Sequence, residues 1–319
     1  MRAIRQREWG GTESFELVDL PVPKPGPTEV LVKVAAASIN PVDVYTSRGQ
    51  AYNMVLSLPF VNGWDVAGVV TEVGYGVTRF KRGDRVFGMP WFPREAGAYA
   101  EYVTAPSRHL ARMPETMSFT EAAALPLAGL TAWQMIVDAA GVGPGARVLV
   151  SAAAGGVGHL AVQVAKARGA YVIGTASPAK HEFVRGLGAD EAIDYTSVDL
   201  PEVVSGVDAV IQMFGGDAAI RALECLRPGG VLVNAQGAWT PGMIERAAEL
   251  GVRATWYLVE PDADGMERLA DLHQSGQLAV HVSQEFPLAA VADAHDLVAK
   301  GRTVGKVVLT VGDPGDAPA

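Results

Sequence analysis

A strand, a glycine-rich turn and a helix follow one another without interruption in VLVSAAAGGVGHLAVQVAK, which runs from Val148 to Lys166. The order is that of the dinucleotide-binding motif G-x-G-x-x-G, except that Ala153 stands in place of the first glycine. In this motif the backbone approaches a pyrophosphate closely, and free N–H groups at the start of the helix point at it. A Cβ at Gly155 would obstruct that approach, and one at Gly158 would push helix and strand apart.

Ala153 fits such a turn if its φ is negative, so the departure does not remove the prediction of a dinucleotide site. The alternative is an ordinary small-residue connection between a strand and a helix, but the strand before the turn and the helix after it are the context that the motif requires. The residues predicted to form the site are Ala153, Ala154, Gly155, Gly156, Val157 and Gly158.

Apolar strands alternate with helices on both sides of this turn, between about residue 118 and residue 276. Ser118 and Glu121 form a capping box at the start of the first helix. The strands RVLVSAA, AYVIGTA, DAVIQMF and GVLVNAQ are separated by helical segments such as HLAVQVAKAR and DAAIRALECLR. This alternation is typical of an α/β fold with a doubly wound parallel sheet.

The chain before residue 118 has a different pattern, with short strands broken by glycine and proline. EVLVKVAAASI, GVVTEVG, RVFGM and AYAEYVTA predict a compact, mostly antiparallel unit. The closing strand GKVVLTV is placed to rejoin this unit. We therefore expect one mostly β domain from residues 1–117 and 277–319, and a dinucleotide-binding domain from residues 118–276.

Charge and cysteine content exclude several classes of function. Lys and Arg number 26 against 35 Asp and Glu, a net charge of −9, which opposes binding to nucleic acid or to an anionic membrane. Cys225 is the only cysteine, so neither an intrachain disulfide nor a multi-thiolate zinc site can form, and we expect a buried, inert thiol. The sequence shows neither a membrane span nor a signal peptide, which predicts a cytoplasmic protein.

The segment VIGTASPAKHEF, at the end of the next strand, distinguishes between the two nicotinamide dinucleotides. NAD-binding turns carry an acidic residue here for the ribose 2′-hydroxyl, whereas a 2′-phosphate requires its absence and a cation nearby. Ser177 occupies the acidic position, and Lys180 follows it. The alternative for Lys180 is a solvated lysine in a first helical turn. The missing acid carries the prediction, and the predicted cofactor is NADPH.

A series of motifs in this order and spacing resembles a known family over about residues 1–312. The motifs are SINPVDVYTSRG, GWDVAGVVTEVGYGVTRFKRGDRVFG, GAYAEY, LPLAGLTAW, AAGGVG, LGADEAIDY, FGG, LRPGGVLV and GKVVL. They resemble the zinc-independent quinone oxidoreductase branch of the medium-chain dehydrogenase/reductase superfamily, near the zeta-crystallin-like and NADPH-dependent enone reductases. The resemblance implies a GroES-like catalytic domain with a Rossmann domain inserted in it, a cleft between them holding NADPH, and a homodimer.

The resemblance also implies roles for individual residues. Asn40 and Asp43 are expected near the nicotinamide and the substrate, Thr131 at the nicotinamide end of the cofactor, and Lys306 near the cleft. The remaining expected cofactor contacts fall into two groups, those around the 2′-phosphate (Ser177, Lys180, Tyr195) and those along the cofactor groove (Phe214, Gly215, Gly216 and the backbone near Gln236 and Gly237).

Two segments depart from the family pattern. Gln212 stands where these proteins often carry Asp. The segment MPWFPREAGAYAEY places Trp91 and Phe92 near the expected cleft, and its letters PRE have no counterpart in that pattern. The family motifs therefore do not define the shape of the substrate pocket.

A catalytic zinc ion is not expected. Such a site needs three nitrogen, sulfur or oxygen ligands from the protein. The zinc-dependent relatives use a cysteine near Ser38 and a His-Glu pair near Trp64 and Asp65, but the matching stretch NGWDVAG contains neither a thiol nor an imidazole.

Without a metal, addition of hydride to an enone or a quinone is the favoured chemistry, because hydrogen-bond donors can stabilise the resulting enolate. The candidate groups are Asn40 as a polarising donor, and Tyr45 or Tyr52 as donor or pocket wall. The alternatives are that Asn40 marks a turn before Pro41, that Tyr45 packs in the core, and that Asp43 orients a neighbour. Aromatic residues expected to form an apolar substrate wall are Trp64, Trp91 and Phe92, although Trp64 is equally consistent with a core position.

Three functions remain open from the sequence. The favoured one is an NADPH-dependent reductase of quinones or α,β-unsaturated carbonyls. The second is an enoyl reductase that acts on a carrier- or CoA-bound intermediate. The third is a non-catalytic NADPH-binding protein.

Overall fold

The computed structural model of the chain describes residues 1–235 and 240–312. Its strands are β1 (Arg2–Gln6), β2 (Phe15–Asp19), β3 (Glu29–Ile39), β4 (Phe60–Val61), β5 (Asp65–Val73), β6 (Arg85–Gly88), β7 (Tyr102–Pro106), β8 (Leu110–Arg112), β9 (Arg147–Val150), β10 (Tyr171–Thr175), β11 (Glu191–Ile193), β12 (Val207–Gln212), β13 (Leu226–Asn234), β14 (Arg253–Trp256), β15 (Val282–Pro287) and β16 (Lys306–Thr310).

The α-helices among the described residues are α1 (Pro41–Ser47), α2 (Phe119–Ala124), α3 (Pro126–Trp133), α4 (Gly158–Ala167), α5 (His181–Gly186), α6 (Leu200–Val203), α7 (Asp217–Leu223), α8 (Met243–Glu249), α9 (Ala263–Gln274) and α10 (Val291–Ala299). Residues Gln134–Ala139 continue α3 as a π-helix. None of the helices in the described ranges combines the length and the apolar composition that crossing a membrane needs.

The described chain divides into two compact units. The first consists of Met1–Leu130, Glu260–Gln274 and the described chain from Val280 onward, and the second of Thr131–Val259 with Ser275–Ala279. These limits differ from the sequence-based boundaries at residues 117/118 and 276/277. The reason is that α2 packs against β3 and β5, and α9 against β8, so both helices join the first unit.

The first unit is mostly antiparallel, as its short strands predict. Its main sheet has the order β15-β16-β3-β5-β6-β8, and β7 also pairs with β3. β15 and β16 form a parallel pair, whereas the other pairs in this sheet are antiparallel. β16 lies antiparallel to β3, with Val308 opposite Ser38, so the closing strand does return to the first unit. A small antiparallel sheet, β2-β1-β4, completes the unit.

The second unit contains a six-stranded parallel sheet in the order β11-β10-β9-β12-β13-β14. This is the strand order of a doubly wound dinucleotide-binding domain, and its direction reverses between β9 and β12. The central strands are apolar and buried, which is typical of a parallel sheet covered on both faces. Cys225 lies fully buried in the core of this unit, as expected, and burial raises the pKa of its thiol to about 12.

One helix that positions candidate residues was not predicted from the sequence. α1 begins at Pro41, directly after Asn40, where the Asn-Pro pair indicated a turn. Proline is favoured at the first helical position because its fixed φ suits the helix and its missing N–H has no partner there. The Asp43 carboxylate accepts the Asn40 backbone N–H (2.6 Å) and caps the helix.

Candidate functional site

The glycine-rich turn lies at the carboxyl end of β9, at the point where the strand order reverses. A Cβ at Gly158 would lie 2.1 Å from the Ala152 carbonyl oxygen, so only glycine fits where α4 leaves the turn. A Cβ at Gly155 would lie 3.2 Å from the same oxygen. At the start of the turn, Ala152 has a φ of 48°. Ala153 is not among the residues with a positive φ, which is the condition for its fit in the turn.

Ala153 replaces a glycine because the neighbouring strand leaves room for its methyl group. Ala153 is fully buried, and its N–H donates to the Thr175 carbonyl at the end of β10 (2.9 Å). A Cβ built on Gly174 of β10 would lie 2.8 Å from the Ala153 Cβ. The glycine missing from the turn is therefore compensated by a glycine on the adjacent strand.

His159 and Ser151 hold the turn in place from either side. His159 is fully buried, and both its N–H and its ring Nδ1 contact the Gly155 carbonyl oxygen (3.0 and 2.9 Å). The Ser151 hydroxyl accepts the Met213 N–H (2.8 Å) and ties the end of β9 to the end of β12. The buried contact of His159 with the turn is a structural one.

The residues expected around the 2′-phosphate follow β10 and β11, whose carboxyl ends lie at the same edge of the sheet. The Ala176 N–H donates to the Ile193 carbonyl (3.0 Å) and joins the two segments. Ser177 is half-buried at the start of the short turn that carries Lys180, and Tyr195 is 57% exposed. The acidic residue at this edge, Asp194, accepts the N–H and hydroxyl of Thr196 (3.0 and 2.7 Å), which lowers its pKa and engages it in its own turn.

Phe214, Gly215 and Gly216 form the turn after β12, on the other side of the switch point. Phe214 is 52% exposed, and Gly216 has a φ of 64° at the start of α7. The buried Gln212 holds this turn, because its Nε2 donates to the Ala218 carbonyl (3.0 Å) and its Oε1 accepts the Met213 N–H (3.1 Å). Gln212 thus supports the backbone of this turn. Thr131, the residue expected at the nicotinamide end of the cofactor, lies buried on α3. Gln236 and Gly237 lie outside the described residues.

In the first unit, Asp65 at the start of β5 is the centre of a buried polar cluster. Its carboxylate accepts three hydrogen bonds, from Ser38 Oγ (2.6 Å), Asn40 Nδ2 (2.9 Å) and the Leu127 N–H (2.8 Å). The Lys306 ammonium lies 3.9 Å from Asp65 Oδ2. The same ammonium donates to Asn40 Oδ1 and to the Ile39 carbonyl. The amide of Asn40, 2% exposed, is thereby fixed in orientation, with Oδ1 towards Lys306 and Nδ2 towards Asp65.

Asp43 and Lys306 are unusual because both titratable groups are buried. Burial raises the pKa of Asp43 to about 7, and the nearby Asp65 adds to this rise, while the Asn40 N–H and Lys306 oppose it. Burial lowers the pKa of Lys306, and the two carboxylates oppose that change. Two carboxyl groups therefore share one ammonium. Asp65 accepts three hydrogen bonds and lies near the ammonium, whereas Asp43 accepts the Asn40 N–H and lies beside the buried Tyr99 hydroxyl, whose hydrogen bond also opposes the rise in the pKa of Asp43.

Tyr52, Trp64 and Phe92 form an aromatic cluster with edge-to-face contacts. The ring centroids are 5.3 Å apart for Tyr52 and Phe92, 6.0 Å for Tyr52 and Trp64, and 5.2 Å for Trp64 and Phe92. Trp64 is 2% exposed and lies in the core, which is one of the two positions expected for it. Burial raises the pKa of the Tyr52 phenol, and no hydrogen bond joins its hydroxyl to another described residue. This hydroxyl is therefore a protonated donor without a hydrogen-bond partner among the described residues.

Two other aromatic candidates lie apart from this cluster. Tyr45, on α1, is 42% exposed, so it does not pack in the core. The Trp91 indole N–H donates to the Thr104 carbonyl (2.9 Å), and its ring contacts His109 instead of Tyr52. Of the expected first-unit residues, the structure thus brings Asn40, Asp43 and Lys306 into one cluster, and Tyr52, Trp64 and Phe92 into another.

The residues at the position of a zinc site do not fit a metal ion. In the described parts of the chain, no group of three or more His, Cys, Asp or Glu side chains is placed to hold one. Asp65, the carboxylate at this position, is already occupied by Ser38, Asn40, Leu127 and Lys306.

Sequence reasoning missed Asp65 as a functional candidate, and considered it only as a place where a zinc ligand was absent. The one signal was a charged residue entering the apolar strand DVAGVV. Tyr99 was also missed. It is fully buried beside Asp43, its hydroxyl lies 3.2 Å from His295 Nε2, and Gly63 leaves the space for its ring.

Two family models match the chain. Residues 26–115 match the alcohol dehydrogenase GroES-like domain, and residues 187–309 match a family described as zinc-binding dehydrogenase. The second description concerns the family as a whole, because the donors for a zinc ion do not occur at the corresponding position here.

Curated relatives match over nearly the whole chain. A 2-haloacrylate reductase from Burkholderia sp is 35% identical, over 94% of this chain and 96% of the relative. An NADPH-dependent alkenal/one oxidoreductase from Arabidopsis thaliana is 35% identical, over 97% and 79%. The quinone oxidoreductase of Homo sapiens is 32% identical, over 97% of both chains.

Solved structures give the same result. The quinone oxidoreductase of Coxiella burnetii superimposes with a TM-score of 0.91 and 37% identity, over 98% of this chain and 99% of that chain. The Escherichia coli quinone oxidoreductase complexed with NADPH gives a TM-score of 0.87 and 29% identity, over 98% and 100%. With both units matched along their full length, the chain belongs to the medium-chain dehydrogenase/reductase superfamily, in the branch of the quinone oxidoreductases.

Proposed function

We propose that this protein is an NADPH-dependent reductase that adds hydride to a quinone, or to the C=C bond of an α,β-unsaturated carbonyl compound, without a metal ion. The observation that carries the proposal is the steric fit of the glycine-rich turn at the switch point of the parallel sheet, followed by Ser177 in place of an acid. The names of the relatives, which include an NADPH-dependent alkenal/one oxidoreductase and quinone oxidoreductases, support the same chemistry.

The residues of the second unit fit a dinucleotide. The turn from Ala152 to Gly158 has no side chain larger than valine, and its residues Gly155, Gly156 and Val157 remain partly exposed just before α4 begins. We assign the pyrophosphate to this turn, and the groove beside it to Phe214, Gly215 and Gly216. Bound NADPH supplies the hydride of the reaction.

The selection of NADPH over NADH is assigned to Ser177, Lys180 and Tyr195. Ser177 offers a hydroxyl without a negative charge, and Lys180 adds a cation in the next turn. Asp194 does not take the place of the missing acid, since its carboxylate is hydrogen-bonded to Thr196. A 2′-phosphate is therefore accepted here without repulsion from residue 177.

In the first unit, we assign Tyr52 the role of hydrogen-bond donor to the carbonyl oxygen of the substrate. Its phenol keeps its proton well above neutral pH, and its hydroxyl has no partner among the described residues. Negative charge that develops on the oxygen is stabilised by such a donor. Asn40 is held by Lys306 and Asp65, and burial raises the pKa of Asp43 beside it. These groups are assigned to polarisation and proton supply.

We also propose a homodimer, as the family resemblance implies, and a cytoplasmic location, as the sequence predicts. Sedimentation equilibrium of the purified protein tests the first, and fractionation of the source cells tests the second. A monomer over the whole concentration range would contradict the proposed dimer.

A panel of acceptors tests the proposed function. The purified protein is given NADPH with quinones, enones, alkenals and enoyl thioesters, and NADPH oxidation is followed. We expect turnover with quinones or enones. Turnover restricted to enoyl thioesters would instead identify a reductase of carrier- or CoA-bound intermediates, and NADPH binding with no turnover a non-catalytic protein.

A further inference from the structure

The segment Trp91–Glu95 departs from the family pattern, and it is fastened to the first unit at both ends. At its start, the Trp91 N–H donates to His109 Nδ1 (3.1 Å) and the Trp91 indole N–H to the Thr104 carbonyl (2.9 Å). At its end, the Arg94 carbonyl accepts the Trp64 indole N–H (2.7 Å), and Glu95 Oε1 accepts the Val61 N–H (2.9 Å). Four hydrogen bonds thus hold five residues that have no regular secondary structure.

The contact with His109 fixes the protonation state of that residue. A backbone N–H is always a donor, so Nδ1 of His109 must accept and carry no proton. Burial lowers the pKa of His109, which keeps the ring neutral. Replacement of this acceptor would leave the Trp91 N–H without its partner.

Backbone strain occurs at two points that meet in the aromatic cluster. Four non-glycine residues in the described ranges have a positive φ, namely Thr28, Tyr52, Trp91 and Ala152. Tyr52 has a φ of 54° and Trp91 a φ of 61°. Such conformations persist where the surrounding contacts impose them, and they concentrate at functional sites. The two strained segments meet where Phe92, next to Trp91, packs edge-on against the Tyr52 ring at 5.3 Å.

Phe92 is 7% exposed, so it offers little surface of its own to a substrate. Its ring instead packs edge-to-face against the Tyr52 ring. We propose that the Trp91–Glu95 segment positions the Tyr52 hydroxyl for reaction through Phe92, and that His109 is the positioning residue that holds this segment. The proposal rests on the function proposed above, in which Tyr52 donates a hydrogen bond to the substrate. Trp91 is assigned to fastening the segment, in place of the substrate wall expected from the sequence.

The variants that test this proposal form a matched set. Phe92→Ala removes the ring behind Tyr52, and His109→Leu removes the acceptor for Trp91. His109→Asn is the conservative rescue, because the Asn Oδ1 is attached to Cγ in the same way as the His Nδ1. Arg94→Ala is the control within the segment, since its side chain is exposed and its carbonyl remains to bind Trp64.

The first readout does not depend on activity. In protein labelled with fluorotyrosine, the Tyr52 signal is identified by its absence in Tyr52→Phe, and its titration gives the phenol pKa. We expect Phe92→Ala and His109→Leu to shift this pKa down towards the ordinary value of a phenol, and His109→Asn and Arg94→Ala to leave it unchanged. An unchanged pKa in both of the first two variants would overturn the proposal, and the two variants guard against one of them failing to fold.

The second readout is a double-mutant cycle on kcat. Phe92→Ala and His109→Leu are expected to lower kcat by about tenfold to a hundredfold, the cost of a misplaced reacting group, with little change in KM for NADPH. In the Tyr52→Phe background the same changes should have no further effect, because their target is gone. Equal losses in both backgrounds would show a general structural effect and contradict the proposal.

Failure of the proposal can be distinguished from failure of the proposed function. If Tyr52→Phe is as active as the wild type while the two variants still shift the Tyr52 titration, the role of Tyr52 in the reaction is wrong and its positioning by the segment stands. If Tyr52→Phe loses activity and the two variants leave the Tyr52 titration unchanged, the role of Tyr52 in the reaction stands and its positioning by the segment is wrong.

Discussion

Gly174 explains why Ala153 can occupy the first position of a motif that normally begins with glycine. The methyl group of Ala153 lies in the space that a side chain at residue 174 would take. The two positions form one packing unit, and the motif has to be considered together with its neighbouring strand.

Gly174→Ala should destabilise the protein by about 1–3 kcal/mol, because its Cβ would lie 2.8 Å from the Ala153 Cβ and 2.7 Å from a Val184 methyl group. The double variant Ala153→Gly with Gly174→Ala should recover part of this loss, since only the Val184 contact remains. Gly143→Ala, where a Cβ meets nothing within 4 Å, is the matched control. Urea unfolding measures all three, and a double variant no more stable than Gly174→Ala would contradict the packing account.

Ser177→Asp should invert the cofactor preference. A carboxylate at this position repels a 2′-phosphate and accepts a hydrogen bond from a 2′-hydroxyl. We expect the ratio of affinities for NADPH and NADH to fall by about a hundredfold, equivalent to about 2.7 kcal/mol. Quenching of the nicotinamide fluorescence measures both affinities. Ser205→Asp adds the same charge just before β12, at the amino ends of the parallel strands and away from Ser177 at their carboxyl ends. This variant should leave the ratio unchanged.

Tyr52→Phe should lower kcat by about a hundredfold, as expected for the loss of one donor to a developing oxyanion. The affinity for NADPH should not change. Tyr75→Phe, at an 89% exposed position, controls for the loss of a hydroxyl elsewhere. Retention of full kcat by Tyr52→Phe would assign the donor to another group.

At the scale of elements, α1, β5 and β16 place Asp43, Asp65 and Lys306 in one buried cluster. Because the folded-state pKa of Asp43 is raised to about 7 from an unfolded value near 3.9, the folded state binds this proton more tightly. The stability that this provides is fully present below about pH 4 and is lost as the pH rises towards 7.

Asp43→Asn should remove this loss. The free energy of unfolding of Asp43→Asn relative to the wild type should therefore rise between about pH 4 and pH 7, with a limiting slope of about 1.4 kcal/mol per pH unit. Denaturant titrations of both proteins across this range measure the difference. A constant difference would mean that Asp43 stays ionised throughout, and that the proton lies elsewhere in the cluster.

The sequence predicted most elements of both units because each carries a local signal. The helix α4, the strand β3 and the capping box at Ser118 follow from patterns within a few residues. α1 was missed because Asn40 and Pro41 are typical both of a turn and of a helix start, and only the folded chain distinguishes the two. The cluster around Asp65 was missed because it joins residues as far apart as Asn40 and Lys306, which no local pattern relates.

The same reasoning applies to Phe92 and Trp91. Their neighbourhood in sequence suggested one shared wall, but the positive φ of Trp91 turns the two rings to different partners. A backbone conformation of this kind has no sequence signal in a tryptophan, so the separation of the two roles required the structure.

At the scale of the whole molecule, a mostly β unit is interrupted in sequence by a parallel-sheet unit, and β16 closes the first unit beside β3. The relatives match over nearly the whole chain, so the match includes both units. The reductase assignment draws on both, with the cofactor assigned to the second unit and the donor Tyr52 to the first.

The central claim is a metal-free reduction that uses NADPH, and it is tested most directly by initial rates of cofactor oxidation with the panel of quinones and enones after exhaustive dialysis against a chelator. We predict that at least one acceptor supports turnover, that NADPH is oxidised faster than NADH, and that added zinc does not raise the rate. Activity that disappears on dialysis and returns with zinc, or equal use of both cofactors, would contradict the account.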